Sequence, residues 1–242
     1  MGVHCKRKGP DMCDVLSPPS SEGHAHSTIG STAWLGALRR VAAKAVALAV
    51  LTAAQCAAFA VQADDALWAL LKQGGQVVLI RHGLTTPGVG DPPGFVLSDC
   101  STQRNLSDVG REEAQRLGAA VRSRGIPIAR VLSSPWCRCI ETAKIAFGQA
   151  EPHAALGNLF DHPQNRERQM AAFRELAAAA PKRGNLILVT HGSTTAAFTG
   201  VSPATAEMVV ITPTGRGEHR LAGRMLVPDA ASNPSTPTGN AK

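Results

Sequence analysis

The sequence predicts an α/β fold, a three-layer sandwich with a mostly parallel sheet and helices on both faces. Three observations carry that expectation. Val77-Val78-Leu79-Ile80 is an apolar, partly β-branched run of strand length that exits in Arg81-His82-Gly83. Leu186-Ile187-Leu188-Val189-Thr190 is a second such run and exits in His191-Gly192. Stretches of helical periodicity alternate with these runs, the order that builds a parallel sheet. In open α/β sheets ligands bind beyond the carboxyl ends of the strands, which is where both histidines fall.

Each element has its own reason. Residues 1–30 carry the basic stretch Met1-Gly2-Val3-His4-Cys5-Lys6-Arg7-Lys8 and a Ser-, Pro- and Gly-rich region from Ser17 to Ser27, a composition that does not support a core. Arg39-Arg40-Val41-Ala42-Ala43-Lys44 then precedes an apolar run from Ala45 to Ala60, closed by Val61-Gln62-Ala63 and Asp64-Asp65. A positive flank, an apolar stretch and small residues before an acidic start make a secretory signal peptide cleaved after Ala63. The run is shorter than the ~20 residues of a membrane span, so no stable span is expected after cleavage. The domain plan is therefore a disordered leader and signal peptide over 1–63, one α/β domain over 64–228 and a disordered Pro-, Ser- and Asn-rich tail over 229–242.

Residues 66–72 form a short helix ended by Gly74-Gly75, and the first strand follows. Leu84 to Asn105 is a long Pro- and Gly-rich loop leaving the tip of that strand, so it lines the ligand cleft. Ser107 caps a helix in which Val109, Ala114, Leu117 and Val121 share an inward face. Ile128–Leu132 is the second strand, and Ser133-Ser134-Pro135 leads into a helix over 136–147 with Pro135 in its first turn. Residues 149–163 read as irregular, 164–180 as a helix with Met170, Phe173 and Leu176 inward, and 208–211 and 219–227 as two further strands.

Composition narrows the function. The chain of 242 residues is 44% hydrophobic but only 4% aromatic, with no Tyr, so its core rests on Ala, Val, Leu and Ile. The formal charge of +7 shrinks on export: six Lys and Arg and three acidic residues lie in 1–63, which leaves 19 basic, 15 acidic and a net of +4. That excess fits a small anionic ligand, and no basic stripe with interleaved aromatics points to nucleic acid. Arg138 stands in the first turn of a helix that leaves a strand end. Helix N-terminal amides favour phosphate, and a guanidinium adds a fork for two of its oxygens; a solvated surface arginine is the alternative. Cys137 and Cys139 do not face each other on a helix, and no cysteine or histidine set has zinc spacing, so neither metal nor cofactor is expected. One disulfide is expected in an oxidising compartment, Cys100 to Cys139, with Cys137 as the alternative partner.

Together, Arg81-His82-Gly83, the Leu106-Ser107 to Gly118 helix, Ser133-Ser134-Pro135 with Arg138 and Thr142-Ala143, and His191-Gly192 resemble the histidine phosphatase superfamily, which includes phosphoglycerate mutases and acid phosphatases. The resemblance spans Gln76 to Ile211. The segment Asp99 to Asn105, Asp-Cys-Ser-Thr-Gln-Arg-Asn, is similar to a secreted bacterial branch. The resemblance implies that His82 is the nucleophile, that Arg81, Arg138 and His191 complete a cationic pocket with the histidine as imidazolium, and that Gly83, Thr85 and Gly192 contact substrate. The mutases' glutamate acid has no counterpart in Leu156-Gly157-Asn158-Leu159, and Gly192 stands where acid phosphatases carry aspartate. The proton donor is thus open between Glu207, Asp161 and Asp91. The implied function is a periplasmic or secreted, metal-independent phosphomonoesterase acting through phosphohistidine on a small or envelope-linked phosphate ester. The alternatives are a phosphate-ligand-binding protein without turnover and a phosphoprotein phosphatase.

Overall fold

Val77 to Ile80 carry no polar side chain, and a strand of that kind is stable only with both faces covered. They form β1 (Val77–Arg81), with Val77 to Ile80 at most 1% exposed. The computed structural model describes residues 64–160, 162–179 and 181–227. The chain divides into two units, residues 1–55 and 56–242, and every described residue belongs to the second. The expected leader, signal peptide and tail lie outside the described residues, and so does Asp161. No described helix is long and apolar enough to cross a membrane.

The other elements are α1 (residues 64–73), α2 (Asp108–Ser123), β2 (Ile128–Ser133), α3 (Cys137–Phe147), β3 (Glu151–Pro152), α4 (Arg166–Ala178), β4 (Asn185–Thr190), α5 (Gly192–Thr199), β5 (Met208–Gly215) and β6 (Glu218–Met225). The sheet runs β3-β2-β4-β1-β5-β6. The pairings β3–β2, β2–β4 and β4–β1 are parallel, and β1–β5 and β5–β6 are antiparallel. The sheet is thus mostly parallel, with an antiparallel hairpin on one edge.

Alternating residues of the central strands feed two cores. Val78, Ile80, Ile187 and Val189 pack with Leu71 of α1, Leu117 and Val121 of α2 and Ala143 and Ala146 of α3. Val77, Leu79, Leu186 and Leu188 point the other way, against Met170 and Phe173 of α4, with Phe198 of α5 packed beside them. Helices therefore cover both faces. The register positions the two strand exits: Ile80 stands opposite Val189 and Arg81 opposite Thr190, so His82 and His191 leave the sheet side by side.

Four details correct the sequence reading. Val109 is half exposed, because Gly110 rather than Val109 turns to the core side of α2. Pro135 precedes the cap of α3, which is Trp136, so it lies outside the first turn. Residues 149–163, expected to be irregular, include the short edge strand β3, paired with Leu132 and Ser133. The disulfide joins Cys100 to Cys137, not to Cys139. The physical reason is direction. Cys137 begins α3 on the side of the 84–105 loop, whereas Cys139 is turned into the core and remains a free, buried thiol.

The first turn of α2 meets the exit of β1 backbone to backbone. A Cβ on Gly83 would overlap the Gly110 carbonyl, and one on Gly110 would overlap that of Leu84. Two glycines let the strand end and the helix touch, and the Gly83 N–H donates to Thr142 Oγ1 of α3 at 3.1 Å. Ser107 caps α2 by accepting from the Gly110 N–H at 3.2 Å.

Candidate active site

A cleft of about 500 Å³ opens beyond the carboxyl ends of β1 and β4. Its basic and imidazole lining is Arg81, His82, Arg104, Arg138 and His191, with Asn158, Gly192 and Ser193 beside them. His82 is 5% exposed. Its Nδ1 lies 2.8 Å from the Gly83 carbonyl oxygen. A carbonyl only accepts, so Nδ1 carries the proton and Nε2 presents a lone pair. Burial pulls the His82 pKa from 6.5 down to about 3. The charges of Arg138, Arg81 and Arg104 add to that, and the bond to Gly83 opposes it. The ring is neutral at ordinary pH, which is the form a nitrogen nucleophile requires.

His191 lies at a ring-centroid distance of 5.4 Å from His82 and 5.3 Å from Trp136, edge-on in both cases. Its Nε2 is 2.8 Å from Ser134 Oγ. Burial first, then the charges around it, hold its pKa well below 6.5. The imidazolium expected from the sequence is therefore a neutral imidazole, because a fully enclosed ring among guanidinium groups has no partner for a positive charge. Cys139 Sγ is 3.6 Å from the same nitrogen, and burial pushes its thiol up to about 12, so it is a space-filling neighbour and not a thiolate.

The arginines differ in what they hold. Arg81 donates from Nη1 to the Pro203 carbonyl at 2.9 Å, and its buried Nε has no partner among the described residues. Arg138 is 1% exposed, and both its Nη groups are spent on Asp91, at 2.7 and 3.1 Å. This corrects the expectation of an open fork: the fork is closed on a carboxylate supplied by the 84–105 loop. Asp91 also accepts from the Arg104 N–H at 3.0 Å and from Trp136 Nε1–H at 3.0 Å. Burial raises the Asp91 pKa, but these bonds outweigh it and the carboxyl lies below the usual range. The N-terminal amide of α3 is occupied as well, since the Cys137 N–H donates to Gln103 Oε1 at 3.0 Å.

Arg104 is the residue that sequence reasoning missed. It lies in the Asp99–Asn105 segment, and its Nη1 donates to the Gly88 carbonyl inside the cleft loop. Asn158 is another: its Oδ1 accepts from Ser193 Oγ–H at 2.9 Å and from the Phe160 N–H at 3.1 Å, which ties the start of α5 to the turn after β3. Arg104 lies in a segment singled out by its sequence, but both residues reach the cleft only through loop packing. Three guanidinium groups and the Asp91 carboxylate leave a formal charge of +2 around two neutral imidazoles, a match for a phosphate dianion.

Of the other expected site residues, Gly192 lines the cleft, where a Cβ would lie 3.4 Å from Arg81 Nε. Gly83 and Thr85 do not line it. Gly83 is packed on Gly110, and Thr85 bridges to Leu106 through its backbone. Glu207 is not brought to the cleft either. Its carboxylate accepts from Arg224 Nη2 at 2.7 Å and from the Ala204 N–H at 2.6 Å, on the side of β5 that faces β6. Glu207 and Asp91 are each paired with a guanidinium, Glu207 with Arg224 and Asp91 with Arg138. Among the described residues no group of three or more His, Cys, Asp and Glu is arranged to hold a metal ion.

The family model of the histidine phosphatase superfamily (branch 1) matches residues 77–158, from β1 to the Asn158 turn. The match covers 82 of the 242 residues. Among solved structures, the protein histidine phosphatase SixA bound to tungstate is similar at a TM-score of 0.43 and 18% identity, over 62% of this chain and 96% of its own. A mycobacterial glucosyl-3-phosphoglycerate phosphatase in complex with VO3 is similar at 0.45 and 20%, over 60% of this chain and 96% of its own. A phosphoserine phosphatase from Entamoeba histolytica, in complex with 3-phosphoglyceric acid, is similar at 0.46 and 11%, over 62% and 95%. No curated protein matches the chain.

Proposed function

We propose that this protein is an exported, metal-independent phosphomonoesterase that works through a phosphohistidine intermediate. The observation that carries the reading is the His82 ring. It is neutral, pinned at Nδ1 by the Gly83 carbonyl, and its Nε2 is left for attack within a cleft of net charge +2. His82 Nε2 attacks phosphorus as the ester P–O bond breaks, and the leaving alkoxide or phenoxide departs. The alkoxide or phenoxide takes a proton from solvent; water then attacks the phosphorus of phosphohistidine, the P–N bond breaks, one water proton passes to solvent, and hydrogen phosphate leaves with His82 restored as the neutral Nδ1–H ring. Arg81 and Arg104 offset the charge on the equatorial oxygens, while Arg138 stays paired with Asp91; charge neutralisation is most of what this transfer needs from a protein. His191 is a neutral hydrogen-bonding group beside the same phosphate.

The binding-only alternative has no use for a nitrogen so positioned, and turnover decides between them. Aryl phosphates suit the test, since their leaving group needs little protonation. Acid-quench trapping with labelled substrate should give an acid-labile, alkali-stable label that is absent from His82→Ala. Label at full level in that variant sinks the reading. The periplasmic location rests on the residues before Asp64, and N-terminal sequencing of exported protein should begin near Asp64. An intact chain in the cytoplasm would count against export.

A further inference from the structure

Beside the cationic cleft lies a second hollow of about 440 Å³. Its apolar wall is made by Leu97, Pro135, Trp136, Ala154, Ala155 and Ala172. It shares Asn158 with the cleft, and Trp136 in its wall lies with its ring centroid 5.3 Å from that of His191, which lines the cleft. Of the polar side chains at its edge, Gln169, Arg168 and Trp136 are already engaged, and the His162 imidazole lines it as well. Gln169 Nε2 donates to the Ala155 and Gly157 carbonyls at 3.1 and 2.6 Å, Arg168 Nη2 donates to Asn165 Oδ1 at 3.0 Å, and Trp136 Nε1 donates to Asp91. What these groups turn toward a ligand is mainly stem and ring. The mouth of the cleft is apolar too: Val89 is 85% exposed and Phe160 59% exposed. Large apolar side chains left in water around a polar cleft are costly unless something covers them.

Resting on the phosphatase reading above, we infer that the substrate is a phosphate monoester whose leaving group carries a compact apolar body, seated in this hollow while the phosphoryl group lies against His82. Both volumes fall in the range of small-molecule sites, and a polar anchor beside an apolar wall is how such sites fix orientation. A hollow of about 440 Å³ has room for an aryl or short alkyl group but not for the acyl chains of a lipid held in a bilayer, so the body it accepts is of the first kind. Apolar contacts to a leaving group are made in ground state and transition state alike, so they appear in kcat/KM through KM.

The test compares phenyl phosphate with 4-butylphenyl phosphate, whose phenols have nearly the same acidity, so that chemistry at phosphorus is unchanged. Burying the butyl group should raise kcat/KM by at least roughly tenfold. Filling the hollow from its open side with Ala172→Phe, or from the exposed turn with Ala154→Trp, should bring the ratio between the two esters back toward one. The ratio is insensitive to any general loss of activity in the variants. A wild-type ratio near one overturns the inference while leaving the phosphatase intact. A high ratio that neither variant lowers overturns it as well, since the apolar contact then lies elsewhere. Hydrolysis of phosphatidic acid in phosphatidylcholine vesicles in preference to both soluble esters also overturns it. Absence of turnover with every ester removes the phosphatase reading itself, and this inference with it.

Discussion

Asp91→Asn removes one charge from a carboxylate whose side chain is wholly buried against Arg138. Four donors converge on it: both Nη groups of Arg138, the Arg104 N–H and Trp136 Nε1–H. An amide keeps one acceptor oxygen and turns the other end into a donor, so two of the four donors would face an NH2 group. Breaking one side of a buried pair costs ~3–5 kcal/mol, because the remaining charge stays buried without compensation. At about 2–4 °C per kcal/mol for a domain of this size, Tm should fall by roughly 6–20 °C. Thermal unfolding followed by circular dichroism reads this directly. Arg138→Met added to Asp91→Asn should cost little more, since the stranded guanidinium is then gone, and the cycle should be strongly non-additive. The same substitution takes the cleft from a formal +2 to +3, so Asp91→Asn protein kept below its Tm should bind inorganic phosphate more tightly. A destabilisation under about 1 kcal/mol, additivity in the double variant, or weaker phosphate binding would refute the buried pair and the charge account built on it.

Arg81→Ala should lower kcat more than it raises KM, by ~3–4 kcal/mol in the transition state for one lost donor, measured by steady-state kinetics on an aryl phosphate. Stability should fall on acidification. His82 has its folded-state pKa depressed from 6.5 to about 3, so the unfolded chain binds the extra proton in that window, and the stability present above pH 6.5 is lost as pH drops toward 3. Urea titrations between pH 7 and pH 4 should show this slope, and it should shrink in His82→Ala. Mass mapping without reductant should show the Cys100–Cys137 link, with Cys139 alkylated only after unfolding; rapid labelling of Cys139 in the native protein would contradict its burial. Ser134→Ala should lower kcat by loosening His191, with a changed 15N signature of the ring tautomer, and an unchanged spectrum would exclude that role.

The local chemistry of the chain settles the sheet and the two histidines. Val77 to Ile80 and Leu186 to Val189 are apolar on both faces, and such strands have no stable place except the middle of a covered sheet, so their exits had to be its carboxyl edge. The positions of His82 and His191 are direct consequences, and so is that of Arg81. Nothing local determines what the 84–105 loop does, because a Pro- and Gly-rich loop has no periodicity to read. Only packing against α3 carries Asp91 into the Arg138 fork, brings Arg104 to the cleft, and gives Cys100 to Cys137 instead of Cys139. Glu207 shows the same limit from the other side. It was one of three candidate acids, but the β5–β6 pairing puts Met208 opposite Met225 and brings Arg224 against its carboxylate, away from the histidines. The ionic state of His191 is likewise a property of the enclosed pocket. A histidine at a strand tip is charged or neutral according to how much water and how many guanidinium groups surround it, and here those groups come from separate stretches of chain, β1 and α3.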